Sequence, residues 1–104
     1  GGRVVGLIDW EDCALGDPER DLATARVELT LALGEEEATE FRSVYDAGAP
    51  HTVDQHRVDL WTVCAAGGMA LHVGAWGLPK EREETVRAVA LEVLHETLGR
   101  LAVR

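Results

Sequence analysis

The stretch Val4-Val5-Gly6-Leu7-Ile8-Asp9-Trp10-Glu11-Asp12-Cys13-Ala14-Leu15-Gly16-Asp17-Pro18-Glu19-Arg20-Asp21-Leu22-Ala23 decides how the rest of the chain is read. Val4, Val5, Leu7 and Ile8 are β-branched or large apolar residues and predict a short buried strand. It runs into three carboxylates, Asp9, Glu11 and Asp12, within four residues. Carboxylates so close repel one another, and a cation relieves that repulsion. An all-oxygen set suits Mg²⁺, which takes one or two protein carboxylates and completes its shell with water and phosphate oxygens. Gly16 closes the loop. Asp17-Pro18 then predicts a helix start, a side-chain cap followed by a residue whose φ is already helical.

Outward from this stretch the pattern is helical. Gly1-Gly2 reads as a hairpin turn and residues 3–8 as its second strand, with no first strand in the chain. The opening Gly1-Gly2-Arg3, without Met, is the first sign that this is a piece of something longer. Leu22, Ala25, Leu29 and Ala32, widened by Val27 and Leu31, predict a helix over 18–33 ended by Gly34. A second helix is expected over 35–47, with Ala38, Phe41, Val44 and Tyr45 inward and Glu35–Glu37 favourable at its N-terminus. Gly48-Ala49-Pro50 breaks it. A third is expected from Thr52 or Val53 to Trp76. A fourth, over 79–101, turns Val86, Val89, Val93, Leu94, Leu98 and Leu101 to one side, with Glu83 and Arg87 as an exposed i,i+4 pair.

The third helix carries no Asp, Glu, Lys or Arg from 60 to 78, long enough to raise a membrane span. Four glycines, Thr62 and His72 within it, and flanks of Asp59 and Lys80 without a basic anchor, favour a central helix buried on most sides instead. Its Gly67-Gly68 pair is expected to admit a close neighbour. Trp61 and Trp76 read as core, His72 as a satisfied core histidine, and His95 as outward-facing.

The 104 residues suffice for one domain with a modest core, and 46% hydrophobic content is that of a globular chain. A net charge of −9, with nine Arg and the single Lys80 as the basic residues, disfavours nucleic acid and anionic membranes, which need a basic patch. Cys13 and Cys64 lack metal-ligand spacing and a disulfide framework, so they read as free thiols in a reducing cytoplasm. His51, His56, Asp54 and Asp59 can be drawn as a metal site, but their spacing fits no standard motif and the segment reads as a solvated helix start. The run from Asp9 to Asp21 is not a calcium-binding EF-hand loop, because Gly16 is misplaced and the closing Glu is absent.

Ile8-Asp9-Trp10-Glu11-Asp12, then Gly16-Asp17-Pro18, then Asp21-Leu22-Ala23, resembles the metal-binding segment of the aminoglycoside phosphotransferase family. That family includes homoserine-, choline- and macrolide-kinase-like enzymes with a eukaryotic-kinase-like fold. The resemblance implies that Asp9 stands where the kinase D-F-G Asp holds the Mg²⁺ that bridges the nucleotide phosphates. Glu11 and Asp12 would lie no nearer than behind it. Asp21 would be the buried acid that braces the catalytic loop, with Asp17 the helix cap beside it. The family also needs a catalytic Asp in a His-x-Asp loop, a metal-binding Asn and a nucleotide-gripping Lys. None of these patterns occurs here, and the family places the loop just upstream of the strand that carries the metal Asp.

The expectation is therefore a mainly α fold, the helical C-terminal subdomain of a kinase-like enzyme. It would be a single domain over 1–104, with 1–17 a strand and metal-binding loop and 18–104 helical. As part of an ATP-dependent small-molecule phosphotransferase it would use Mg²⁺ and ATP (or GTP) in the parent protein. The acceptor would be cationic, and no cofactor would bind tightly to this chain alone, which would itself be inactive. The isolated chain is expected to be a homodimer, either paired through the open edge of residues 3–8 and uncovered apolar surface or formed by exchange of the N-terminal segment. The competing expectation is a non-catalytic helical module that binds a partner protein through its apolar helix.

Overall fold

The computed structural model describes residues 2–8 and 16–103. Four helices account for most of them: α1, Pro18–Leu33; α2, Glu35–Gly48; α3, Gln55–His72; and α4, Lys80–Ala102. A 3₁₀ turn, Val73–Ala75, extends α3. The fold is mainly α, as the periodicity predicts.

The helix boundaries follow local chemistry. Asp17 caps α1, its Oδ1 accepting from the Glu19 N–H at 3.3 Å, and Pro18 supplies the first helical φ. Gly34 ends α1 at φ +108°, a conformation that strains any residue with a Cβ, and its N–H bonds to the Leu29 and Thr30 carbonyls. α3 starts two or three residues later than its sequence suggests, because Asp54 is the cap: its Oδ1 accepts from the N–H groups of His56 and Arg57. α3 also ends four residues early, where Gly74 and Gly77 (φ +74°) favour a tighter turn and then a reversal.

α1 and α3 run in the same direction: Leu22 and Ala23 meet Val58, and further along Val27 meets Ala66. α4 returns against both, bringing Val93 to Val27 and Ala66. Val73 and Val86 are buried as well. The core is built of Val, Ala and one Leu, so the helices approach closely while each buried Val contributes only about 2 kcal/mol and each Ala less. α2 packs along α1 alone among the helices, which explains why only Ala38 of its expected inward face is buried. Phe41 and Val44 are 43% and 69% exposed.

Several expectations are corrected here. The segment 2–8 forms no strand, and Val4, Val5 and Ile8 stand in solvent; a strand exists only through a ladder, and no described residue supplies one. α3 is central but covered on one side only, with Val58, Asp59, Thr62 and Ala66 buried and Leu60 and Leu71 exposed. Beyond the helix's own backbone and the adjoining residues, no described atom lies within 4 Å of where a Cβ would stand on Gly67 or Gly68, so no neighbour approaches the pair closely. His72 is exposed, not a core residue, and Trp76 is 49% exposed. On α1, Ala32 is exposed and Ala23 takes its place in the core.

By length and composition Gln55–Ala75 is apolar enough to cross a membrane. In the fold it packs between α1 and α4 and carries a fully buried carboxylate, Asp59. The expected Glu83–Arg87 pair forms at 3.2 Å.

Candidate functional site

Asp9, Glu11 and Asp12 lie outside the described residues. The structure describes the segment again from Gly16, and the next residue, Asp17, accepts hydrogen bonds on both carboxylate oxygens. Asp17 uses Oδ1 to cap α1 and Oδ2 to reach α3. That second oxygen accepts from Arg57 through both Nε, at 2.9 Å, and Nη2, and from the Trp61 indole Nε1 at 2.9 Å. Arg57 and Trp61 are four residues apart, so one turn of α3 presents both donors to the same oxygen. The Arg20 guanidinium lies 5.6 Å from the Trp61 ring centroid and covers its face.

The Arg57 guanidinium beside it holds the Asp17 carboxyl well below the usual carboxylate range, with the Glu19 and Trp61 donors adding to the effect. Asp17 in turn raises the Arg57 pKa. The Asp17 side chain is 13% exposed and that of Arg57 56%, so this clamp sits at the rim of the core.

A parallel tie runs beside it. Glu19, almost buried, accepts from the backbone N–H of Asp54 at 3.1 Å. The first turn of α1 therefore holds the cap residue of α3, while the cap residue of α1 holds the first turn of α3. These two links fix the exit of the Asp9–Asp17 segment against the helical body. Sequence reading identified Asp17 as a cap but missed Glu19, Arg57 and Trp61, because their partners lie 35 to 44 residues away.

Asp21, expected as a buried brace, is exposed in this chain. It follows Asp17 by four residues, more than one helical turn, and faces away from the packed side that carries Leu22 and Ala23. The buried acids are Glu19 and Asp59 instead. Asp59, expected to be solvated, is fully buried and receives Arg100 Nη2 at 2.7 Å and Gln55 Nε2 at 3.0 Å. Arg100 also meets Glu96 at 3.2 Å, and Arg26 meets Glu96 at 3.1 Å, so a charge network joins α3, α4 and α1. Among the described residues no group of three or more His, Cys, Asp or Glu side chains is placed to hold a metal ion. His51, read from the sequence as part of a solvated helix start, pairs its Nε2 with the Tyr45 hydroxyl at 3.1 Å.

Beyond the network, a cleft of about 440 Å³ opens between α2 and α4 over the face of α1. Three arginines, Arg26, Arg42 and Arg100, line it against three acids, Glu35, Asp46 and Glu96. Arg42 is bonded to Asp46 at 2.9 Å, so much of this charge is internally matched.

The clamp gives an expected result of its own. A carboxyl whose pKa is depressed in the fold contributes stability above its unfolded pKa, because the unfolded chain binds the proton first. The contribution is lost as pH falls from about 4, the unfolded value, toward the lower folded one. Urea unfolding of wild type and Asp17→Asn should therefore diverge at neutral pH and converge in acid. A gap that is constant from neutral to acid pH would remove the charge from the account of Asp17.

Neither a curated protein nor a solved structure matches the chain. A family model described as phosphotransferase enzyme family does match, over residues 1–61. The match takes in the Asp9–Asp12 cluster, α1, α2, and every residue of the Asp17 clamp through Trp61. It therefore extends well past the motif of residues 4–23, and it covers more than half of the sequence: the chain belongs to the phosphotransferase enzyme family.

Proposed function

We propose that this chain is the C-terminal portion of an ATP-dependent small-molecule phosphotransferase. The observation that carries this is the family match over residues 1–61, within which the Asp9 cluster is followed directly by a structurally clamped helix start. Asp9 is the residue assigned to Mg²⁺, with Glu11 and Asp12 behind it. The donors are all oxygen, the chemistry Mg²⁺ prefers. When bound, the metal supplies positive charge that neutralises the phosphates of the nucleotide during transfer.

The residues of this chain have three jobs in that reading. Asp9 offers a carboxylate toward the nucleotide side. Asp17 and Glu19 hold the base of the segment on α3, so that the carboxylates ahead of it issue from an anchored point. The helices after Ala23 form the acceptor side. A net charge of −9 favours a cationic acceptor through the field of the whole chain, since the arginines and acids of the α2–α4 cleft largely cancel.

On this reading, the 104-residue chain alone binds ATP–Mg²⁺ in the millimolar range or weaker, because its carboxylate cluster comes without the lysine and asparagine that cradle phosphates in kinases. Isothermal titration calorimetry measures this directly. Low-micromolar binding by the chain alone would end the proposal that the nucleotide site needs further residues. The alternative, a helical interaction module, draws its support from the exposed apolar side of α3.

A further inference from the structure

The helix packing leaves a trough. α2 lies along α1 alone, while α4 lies on α3 and α1, so the cleft of about 440 Å³ stays open between them. A cleft of that volume takes small organic ligands. Leu22, Ala38 and Phe41 give it an apolar surface, and its three arginines come from three helices: Arg26 from α1, Arg42 from α2 and Arg100 from α4.

The three arginines are not equally committed. Arg26 and Arg100 share Glu96, and Arg100 also holds the buried Asp59. Arg42 gives only its Nε, to Asp46 at 2.9 Å. Among the described residues neither of its terminal nitrogens has a hydrogen-bond partner, although the side chain is only 26% exposed. Thr39 and Ser43 line the cleft from the same helix, and their hydroxyls are uncommitted among the described residues as well. The unspent groups on this wall are donors.

We propose that the cleft binds a small organic monoanion, a carboxylate carried on an apolar body, with Arg42 as the residue that receives the charge. The two terminal nitrogens of a guanidinium match the two oxygens of a carboxylate edge to edge. Ala38 and Phe41, on the same helix, offer the surface for the body. The charge balance sets the limit of one. Asp46, whose side chain is 47% exposed, holds Arg42 by a single bond four residues along the helix, a weak kind of pair that a ligand carboxylate replaces at little cost. Glu35 lies two turns back on α2, about 10 Å along the axis. A second negative charge on the ligand would meet Glu35, and a doubly charged phosphate would be repelled by Asp46 as well. This inference uses no part of the assignment of Asp9.

The test titrates naphthoate, with naphthylmethanol as its uncharged counterpart, into the chain and follows the backbone amides by nuclear magnetic resonance. Naphthoate is expected to give saturable shifts, largest at Ala38, Arg42 and Ser43, and naphthylmethanol to bind about tenfold more weakly or worse. Arg42→Met keeps the apolar stem and loses the guanidinium; it is expected to weaken naphthoate by about tenfold or more, with helicity by circular dichroism unchanged. Asp46→Asn removes the competing acid and is expected to tighten naphthoate severalfold, a change that a misfolded variant does not produce. Arg82→Met removes the same charge from an exposed position of α4 outside the cleft and is expected to leave the affinity as it is. Absence of saturable shifts with naphthoate, or equal binding of acid and alcohol, would overturn the proposal. So would an Arg42→Met chain that binds as wild type, an Asp46→Asn chain no tighter than wild type, or a loss as large in Arg82→Met.

Discussion

Arg100→Ala is expected to destabilise the fold by about 3–5 kcal/mol, the usual cost of removing one partner of a buried ion pair. Asp59 is fully buried, and Arg100 Nη2 reaches it at 2.7 Å. Without the guanidinium the carboxylate loses the charged donor at 2.7 Å, and Gln55 Nε2 at 3.0 Å is a neutral one. The same change frees Glu96 of one of its two arginines, the other being Arg26. The reverse variant, Asp59→Ala, should cost less, because the Arg100 side chain is 37% exposed and retains Glu96. That asymmetry is the sharper measurement. Urea unfolding that ranks Asp59→Ala as the more damaging would mean that shape, not charge, holds α3 to α4 at this point. A double variant, Asp59→Leu with Arg100→Met, is expected to recover most of the loss, since a well-packed apolar pair often replaces a buried ionic one without cost.

In the complete protein that contains this chain, Asp9→Ala is expected to cut phosphoryl transfer by several orders of magnitude and to leave folding almost untouched. The activity side rests on charge. A phosphoryl group in transfer spreads negative charge over its oxygens, and catalysis of this class is almost entirely positioning plus electrostatic stabilisation. A side chain that supplies a metal-directed carboxylate has no substitute nearby if Glu11 and Asp12 stand behind it. The folding side rests on position. Asp9 precedes the first residue of α1 by nine positions, so its replacement leaves the Asp17 cap and the helices after it in place. Steady-state kinetics at saturating Mg²⁺, with thermal unfolding alongside, decide the matter. A folded variant that keeps about a tenth or more of wild-type kcat would remove Asp9 from that role.

Much of this architecture was legible in the sequence, because helices are written in local chemistry. Asp17-Pro18 marked the start of α1 and Gly34 its end, since a cap, a preset φ and a left-handed φ each act within a few residues. The four helices followed from apolar spacing, and the family followed from the order of Ile8–Asp12, Gly16–Pro18 and Asp21–Ala23, later matched over residues 1–61. Tertiary structure alone decided which polar groups go inside. Asp59 reads as solvated by sequence, yet the fold buries it, while Asp21, the buried acid that the resemblance implies, is exposed in this chain. Burial of a charge depends on what lies across the helix interface, and for Asp59 that is Arg100, 41 residues away. The clamp of Asp17 on Arg57 and Trp61 was hidden for the same reason. The reach of segment 2–8 was over-read, because β-branched residues favour a strand but only a neighbouring strand can make one. The exposure of α3 was under-read, because an uncharged helix looks the same in sequence whether one side or all sides are covered. Local propensity sets where a helix begins and ends, and only packing sets which of its faces stays dry.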